Sequence, residues 1–354
     1  MKKSVSICLF IIIIVANVFG DVKFKFIRDD IKTLIGKLNK KASPYPGFYS
    51  YSGDIVGDSY LGKGPSFNIG LNTGVLFVPD PFGFLPNDLK LKMLNKDELL
   101  EEIEDLAKRD RTQVIPTLYQ AVNTLNAVPF PLWALTFNMG IYKGFQAGLK
   151  MSFFPVLDIK RNNLSVYFAA FNIGANLRYG LIRDHKWLPG MSVGFLFNYS
   201  LVRFNLGYTF KNFELNIAGG STINIKLNPQ ITHNLDVISF GGEYWISKKF
   251  IFFRPFMGFR IMKNYMFTLS KSGGEAKLTD GNNVDQGTES LDYSLETIND
   301  ATEFVWCNGF EIVLGPINLG IGLDYNIGLN TIIVNSGFKV QIDFYKPKKA
   351  KKSK

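Results

Sequence analysis

Ile317-Asn318-Leu319-Gly320-Ile321-Gly322-Leu323-Asp324-Tyr325-Asn326-Ile327 alternates without interruption between large apolar residues and small or polar ones. Successive side chains of a β-strand point to opposite faces, so this pattern predicts a strand with one apolar and one polar face. The polar face is too rich in Asn, Asp and Gly for a packed protein core. Such a strand is typical of a membrane barrel, where the apolar side meets lipid and the polar side meets the lumen.

The same alternation returns at about twelve places between Ser66 and Tyr345, among them residues 192–200, 202–210 and 213–227. Tilted strands need roughly nine to eleven residues to cross a membrane, whereas strands of soluble proteins average about five or six. Most of these runs reach the membrane length, and short turns join consecutive runs, which indicates antiparallel hairpins. The sequence therefore predicts an all-β fold, a transmembrane antiparallel up-and-down β-barrel of about twelve strands, with ten or fourteen as alternatives. A secreted soluble β protein is the competing interpretation.

Residues 1–20 have the three-part pattern of a secretory signal peptide. Lys2 and Lys3 precede an apolar run from Ile7 to Ala16, and Val18-Phe19-Gly20 follows it. A retained transmembrane helix is the alternative, but the run is shorter than the ~20 residues that a span needs. We expect removal of this segment and export of the mature chain to the outer membrane, with residues 66–345 as the barrel.

Residues 21–65 form a separate N-terminal segment. Ile27, Ile31, Leu34 and Leu38 recur at helical spacing with charged residues between them, which predicts a short amphipathic helix. The prolines and glycines that begin at Pro44 are expected to break any regular element. This segment could plug the periplasmic mouth or the lumen of the barrel, or lie on the inner leaflet where its lysines would meet anionic lipid.

The charge distribution argues against a nucleic-acid partner. Of the net charge of +10, the signal peptide and the lysine-rich tail 346–354 account for all but about +2. The tail is either a solvated charged run on the periplasmic side or a contact with anionic headgroups or cell-wall polymer.

Enzymatic chemistry and cofactor binding find few candidate residues. The chain has two histidines and two cysteines, and Cys8 lies in the signal peptide, so a zinc module or a disulfide scaffold is nearly excluded. The expected orientation puts His185 on the periplasmic side and His233 outside, so the two cannot share a site. The sequence contains no phosphate-binding loop and no nucleophile elbow. We predict no enzyme and no cofactor.

Charged residues occur on the face assigned to the lumen, and positive and negative charges nearly balance. This balance predicts no strong ion selectivity, and either a pore lined by charge or a network of ion pairs that holds a narrow barrel closed. The lumen candidates are Lys150, Arg178, Arg203, Glu243, Arg254, Arg260, Glu311, Asp324 and Lys339.

With an even number of strands both termini face the periplasm. The two longest connections, Pro79–Phe130 and Ser270–Ala301, are then extracellular, in agreement with the long outer loops and short inner turns of such barrels.

Three stretches carry resemblances to known proteins. The last run, Asn335–Tyr345, resembles the C-terminal signal that the barrel-assembly machinery reads, which implies that machinery as a partner. Pro129–Pro155, with its Pro-x-Pro start and Phe-Phe-Pro end, resembles an uncharacterised family of outer-membrane barrels of diderm bacteria. A helical segment ahead of the barrel is also similar to FadL-type transporters of hydrophobic compounds, although their Asn-Pro-Ala signature is absent here.

These features predict an outer-membrane barrel that passes small polar or hydrophobic solutes passively through a plugged lumen. Its expected partners are outer-membrane lipid, the assembly machinery and such a solute. The alternative is a non-transporting structural or adhesive surface protein that displays long extracellular loops.

Overall fold

The computed structural model describes residues 36, 44–51, 65–79, 127–142, 144–161, 164–208, 213–217, 221–227, 230–273, 275–280, 285–290 and 292–344. The predicted signal peptide, the tail 346–354 and the predicted helix positions Ile27, Ile31, Leu34 and Leu38 lie outside the described residues. Among the described helices, none has the length and apolar character needed to cross a membrane.

The described residues contain one complete helix, of eight residues, and fourteen strands. The helix is α1 (Pro44–Tyr51). The strands are β1 (Ser66–Pro79), β2 (Ala127–Gly140), β3 (Phe145–Arg161), β4 (Leu164–Ile182), β5 (Gly190–Tyr208), β6 (Phe213–Ile217), β7 (Ser221–Leu227), β8 (Gln230–Ser247), β9 (Phe253–Gly273), β10 (Glu275–Asp280), β11 (Asp285–Ser290), β12 (Tyr293–Leu314), β13 (Ile317–Asn326) and β14 (Thr331–Asp343).

Ten of these strands form a closed barrel in the order β1-β14-β13-β12-β9-β8-β5-β4-β3-β2, and all neighbours are antiparallel. The first and last strands close it, with pairs from Ser66 and Asp343 to Phe77 and Ile332. The predicted barrel fold is confirmed. The expected count of about twelve is corrected to ten, which was one of the alternatives.

Two features of the chain account for the difference in strand number. Residues 192–200 and 202–210 were expected as separate strands, but β5 is continuous and pairs with β4 without a break at Leu201. Leu201, the one residue between the two runs, is not a turn residue, so the strand continues through it. Residues 213–227 do not enter the barrel wall and form instead the hairpin of β6 and β7.

A second sheet, of order β11-β10-β7-β6, is built from two hairpins that follow β5 and β9. The hairpins are joined by pairing of β7 with β10, for example Leu227 with Ala276. This sheet lies at the barrel end that also carries the connection between β1 and β2. The opposite end carries short turns, such as Gly315-Pro316, and both ends of the barrel sequence. Because barrels have short periplasmic turns and longer extracellular loops, we assign the second sheet to the cell surface.

The register fixes the width of the barrel. Tracing paired residues around the wall from Ser66 through Gln146, Glu243 and Asn326 returns to β1 about twelve residues further along, near Val78. For ten strands this stagger gives a tilt of about 40° and a backbone radius of about 10 Å. Side chains from opposite walls of so narrow a barrel reach each other across the lumen.

The two faces of the wall have the predicted chemistry. Large apolar side chains point outward and are exposed, as Leu149, Leu177 and Phe195 are, while Asn, Ser and charged residues at the alternate positions are buried inside. An apolar exterior band of this kind matches the hydrocarbon of a membrane.

Helix α1 occupies residues that were expected to have no regular secondary structure. Its sequence is Pro-Tyr-Pro-Gly-Phe-Tyr-Ser-Tyr, and both prolines fall in the first turn. Backbone N–H groups of a first helical turn have no partner inside the helix, so proline is tolerated there and its fixed φ favours the helix. The expectation of irregular structure at Pro44 and Pro46 is therefore wrong.

We predict that the purified protein migrates faster on a denaturing gel when it is not heated than after boiling. A closed barrel leaves no unpaired strand edge within the wall, so detergent alone does not open it. Equal mobility of both samples, together with a circular dichroism spectrum poor in strand, would contradict the closed barrel.

Candidate functional site in the barrel lumen

A central network of buried charges crosses the lumen between four strands. Glu243 of β8 accepts hydrogen bonds from Arg178 of β4 (3.1 Å, Nη2 to Oε1) and from Arg260 of β9 (3.5 Å, Nε to Oε2). Arg260 also reaches Asp324 of β13 at 3.5 Å. These side chains are at most 5% exposed, so each charge needs its partner in order to remain buried.

Trp245 joins this network from the adjacent inward position of β8. Its Nε1 donates to Glu243 Oε2 at 2.8 Å, and the guanidinium of Arg260 lies 4.9 Å from the ring centroid. The ring lies against the backbone of Gly258 on the paired strand, where a Cβ would stand 2.3 Å from Trp245 Cε3. Because Gly258 has no side chain, the indole of Trp245 can fill the space on this side of the lumen.

A second charged layer lies near the periplasmic end. Arg254 and Glu311 are paired residues of β9 and β12, and their side chains are 3.0 Å apart (Nη1 to Oε2). Lys339 of β14 contacts the other oxygen of Glu311 at 2.7 Å. Together with the central network, this layer places opposite charges side by side, so the lumen presents little net charge to a solute.

Eight of the nine predicted lumen residues face the interior, including Lys150 of β3, which is buried. Arg203 does not. It lies on the outer face near the extracellular end, 2.7 Å from Asp236, and both side chains are 37% exposed. Because 202–210 was treated as a new strand, its apolar side was assigned to lipid. In the continuous β5, Val202 instead points inward, and there it packs with Leu235, Val237 and Met266.

Helix α1 is surrounded by an apolar layer in the outer half of the lumen. We use this name for the inward-facing residues Leu76, Leu132, Leu196, Met262, Val305 and Ile333. Phe48 of α1 is fully buried in the same cluster, and Tyr49 is nearly so. The helix backbone approaches β9 closely, because a Cβ on Gly47 would lie 2.7 Å from Asn264 Nδ2.

A glutamate holds the wall next to α1. Glu303 of β12 accepts hydrogen bonds from Asn264 Nδ2 at 2.6 Å and from Asn326 Nδ2 at 2.7 Å. Asn264 is held by its hydrogen bond to Glu303 and lies against Gly47 of α1. The position of α1 therefore depends on Glu303.

The inner face of β1 to β5 has a different composition, which we call the amide wall. Its asparagines and serines bond to each other across strands, as Asn138 does to Asn68 at 3.0 Å and Asn172 does to Ser200 at 3.0 Å. A Cβ on Gly148 would lie 2.1 Å from Asn138 Oδ1 and 2.6 Å from Asn176 Oδ1, so the glycine lets both amides lie flat against the wall.

Several buried polar atoms of the amide wall have no hydrogen-bond partner among the described residues. They are Ser66 Oγ, Asn176 Oδ1, Ser192 Oγ and Asn198 Nδ2. Leaving one such group unpaired costs roughly 1–3 kcal/mol. The amide wall is therefore suited to contact with water or with a polar solute.

The described residues offer little to an enzyme. His185 and His233 lie at opposite ends of the barrel, as expected. His233 Nδ1 is 2.8 Å from Ser270 Oγ, a pair that the sequence did not indicate because the residues lie on different strands. Ser270 is fully buried, which closes its hydroxyl to a substrate. Cys307 is buried too, and no group of three metal-ligating side chains occurs among the described residues.

No family model matches the sequence, and the search of curated proteins found no match. Solved structures similar to the chain are outer-membrane barrels. The translocator domain of the autotransporter NalP from Neisseria meningitidis has 9% identity and a TM-score of 0.30, with 89% of this chain and 98% of that chain covered. The toluene transporter TbuX from Ralstonia pickettii has 9% identity and a TM-score of 0.28, with 85% and 94% covered. The outer-membrane protease OmpT from Escherichia coli has 10% identity and a TM-score of 0.30, with 82% and 100% covered.

Replacement of Arg260 by alanine is expected to lower the free energy of unfolding by about 3–5 kcal/mol, because it removes the buried cation that pairs with both Asp324 and Glu243. Chemical denaturation in detergent micelles measures this loss. Arg203→Ala is the matched control, since it removes an exposed pair worth about 1 kcal/mol or less. Equal losses in the two variants would show that the central network does not stabilise the barrel.

Gly258→Ala tests the packing of Trp245. The added methyl group would overlap the indole, so we expect a loss of about 1–3 kcal/mol, seen as a lower temperature for the conversion from the fast to the slow gel band. Gly242→Ala on the neighbouring strand is the control, because a Cβ there meets nothing closer than 3.8 Å. If both variants convert at the wild-type temperature, Trp245 is not held by Gly258.

Proposed function

We propose that the protein is an outer-membrane barrel that passes small polar or hydrophobic solutes passively, and that α1 closes it. The observation that carries the proposal is the position of α1, whose Phe48 is fully buried among apolar side chains inside an otherwise polar lumen. Contacts of this kind can be broken without rearranging the barrel wall.

The route that we propose follows the amide wall. This wall is uncharged apart from Lys150 and Arg178, and its unpartnered amide and hydroxyl groups can exchange hydrogen bonds with a passing solute. The charged residues lie mainly on β8, β9 and β12 to β14 and pair with one another. A solute that moves along the amide wall therefore meets hydrogen-bonding groups more often than fixed charge, which favours small uncharged molecules over ions.

The apolar layer adds a second kind of contact to the route. When α1 leaves, Leu196, Met262 and Ile333 would line the outer half of the lumen. A solute with an apolar part would replace the contacts that Phe48 makes there. The pairing of an apolar layer with an amide wall supports solutes that combine both characters.

The cellular setting belongs to the same proposal. Residues 1–20 would direct export as a signal peptide, β14 would be read by the barrel-assembly machinery, and the apolar exterior would meet outer-membrane lipid. The buried position of Ser270 supports a protein that is not an enzyme.

One observation favours a second candidate function. The sheet of β6, β7, β10 and β11 extends beyond the barrel at the end that we assign to the cell surface. A paired four-stranded sheet is more than a loop needs in order to connect two strands. It supports a structural or adhesive surface protein for which the filled lumen is only an anchor.

Liposome swelling distinguishes the two functions. We expect the wild-type protein to pass glycerol and small sugars slowly, and the Phe48→Ala variant to pass them faster, because loss of the ring removes most of the apolar seat of α1. Tyr49→Phe is the matched control, since it keeps the ring and removes only a hydroxyl that has no hydrogen-bond partner among the described residues. Planar-bilayer conductance of the same samples is expected to show little preference between cations and anions.

A deletion of residues 21–51 provides the open reference, with the unheated gel band confirming that the barrel still closes. If neither this deletion nor Phe48→Ala passes solutes or ions, the transport proposal is wrong and the surface-protein candidate replaces it.

A further inference from the structure

We infer that the polypeptide enters the barrel lumen from the extracellular side near Gly36 and runs through its own barrel toward the periplasm. This differs from the sequence-based expectation, in which an N-terminal segment closes the periplasmic mouth. The inference concerns the path of the chain and holds whether or not solutes pass.

The first observation is the position of Gly36. A Cβ on this residue would lie 3.8 Å from Cδ2 of Leu295. Leu295 is near the start of β12 and pairs with Ser270 of β9, which in turn pairs with His233 of β8. This part of β12 extends well beyond Val305, where pairing with β13 begins. Gly36 therefore lies at the extracellular end of the barrel.

The second observation is the level of α1. Gly47 lies against Asn264, and Asn264 pairs with Ala301 of β12. Ala301 lies between Leu295 and Val305 on the same strand, so α1 is further into the lumen than Gly36. From residue 36 to residue 47 the chain thus moves inward from the cell surface.

The third observation is the start of the barrel wall. β1 begins at Ser66, which pairs with Asp343 of β14 and with Gly140 of β2, both at the end with the short turns. Phe344 N also donates to Pro65 O at 3.0 Å, which fixes Pro65 at that end. Three successive points of the chain, Gly36, Gly47 and Pro65, therefore lie at three successive levels from outside to periplasm.

A plug inserted from the periplasm would give the reverse order for the first two points. Gly36 would then lie nearer than Gly47 to the periplasmic ends of β9 and β12, close to Arg254 or Glu311. The contact with Leu295 is incompatible with that arrangement.

Cysteine labelling of intact cells tests the direction. The wild-type chain is the background, because Cys8 belongs to the signal peptide and Cys307 is fully buried. We expect a membrane-impermeant maleimide to label Gly36→Cys on intact cells as it labels Glu296→Cys, at an exposed position near the start of β12. Lys249→Cys, in the exposed turn between β8 and β9, is expected to react only after the outer membrane is permeabilised.

Cross-linking of a cysteine pair tests the same chain path even if the maleimide does not reach Gly36→Cys. Gly36→Cys combined with Leu295→Cys is expected to be joined by a short bifunctional thiol reagent, whereas Gly36→Cys with Arg254→Cys is not. The inference is overturned if Gly36→Cys reacts only after the outer membrane is permeabilised, as Lys249→Cys does, or if the Leu295 pair fails to cross-link in a protein that still shows the fast gel band. Solute passage in the swelling assay has no influence on either readout.

Discussion

The pairing of β1 with β14 is the constraint on which the rest of the molecule depends. Backbone groups inside a membrane have no water to bond, so a sheet is stable there only when its first strand meets its last. Twelve residue pairs from Ser66 to Phe77 make this closure. The stagger with which ten strands close then sets the tilt and the radius of the barrel. Everything inside has to fit the narrow space that results.

The interior meets this limit by matching large residues with small ones on neighbouring strands. Trp245 occupies the space above Gly258, and Asn138 and Asn176 lie over Gly148. Charge is accommodated in the same way, since Glu243 has two arginines within reach, so that its buried carboxylate is paired and not isolated. The glycine content of the strands is thus a packing requirement of a narrow lumen, as well as a mark of a polar face.

The sequence predicted the features that depend on alternation within one strand. The barrel class, the antiparallel pairing and the inward direction of eight charged residues follow from period-two patterns. Alternation gives no signal for whether two adjacent runs are one strand, and continuity of β5 through Leu201 removes one expected strand and reverses the direction of Arg203. The other surplus strand was expected because β6 and β7 alternate like wall strands, although they pair in the second sheet. The contacts of Glu243 with Arg178 and Arg260 join residues on different strands, and only the register brings them together. Helix α1 was missed because its prolines occupy a first turn, where they do no harm.

The contacts of α1 with the barrel wall can be recognised in the sequence, at positions where the alternation of apolar and polar residues is interrupted. Leu76 lies between Val75 and Phe77, Ile333 between Ile332 and Val334, and Val305 between Phe304 and Trp306. In each run the flanking residues face lipid, so the middle residue adds an apolar side chain to the lumen. A strand with apolar residues on both faces is buried on both faces. Since lipid covers the outer side, some apolar body has to cover the inner side at the same level, and Phe48 of α1 is that body. Triplets of this kind, at matching levels of several strands, identify a barrel that encloses part of its own chain.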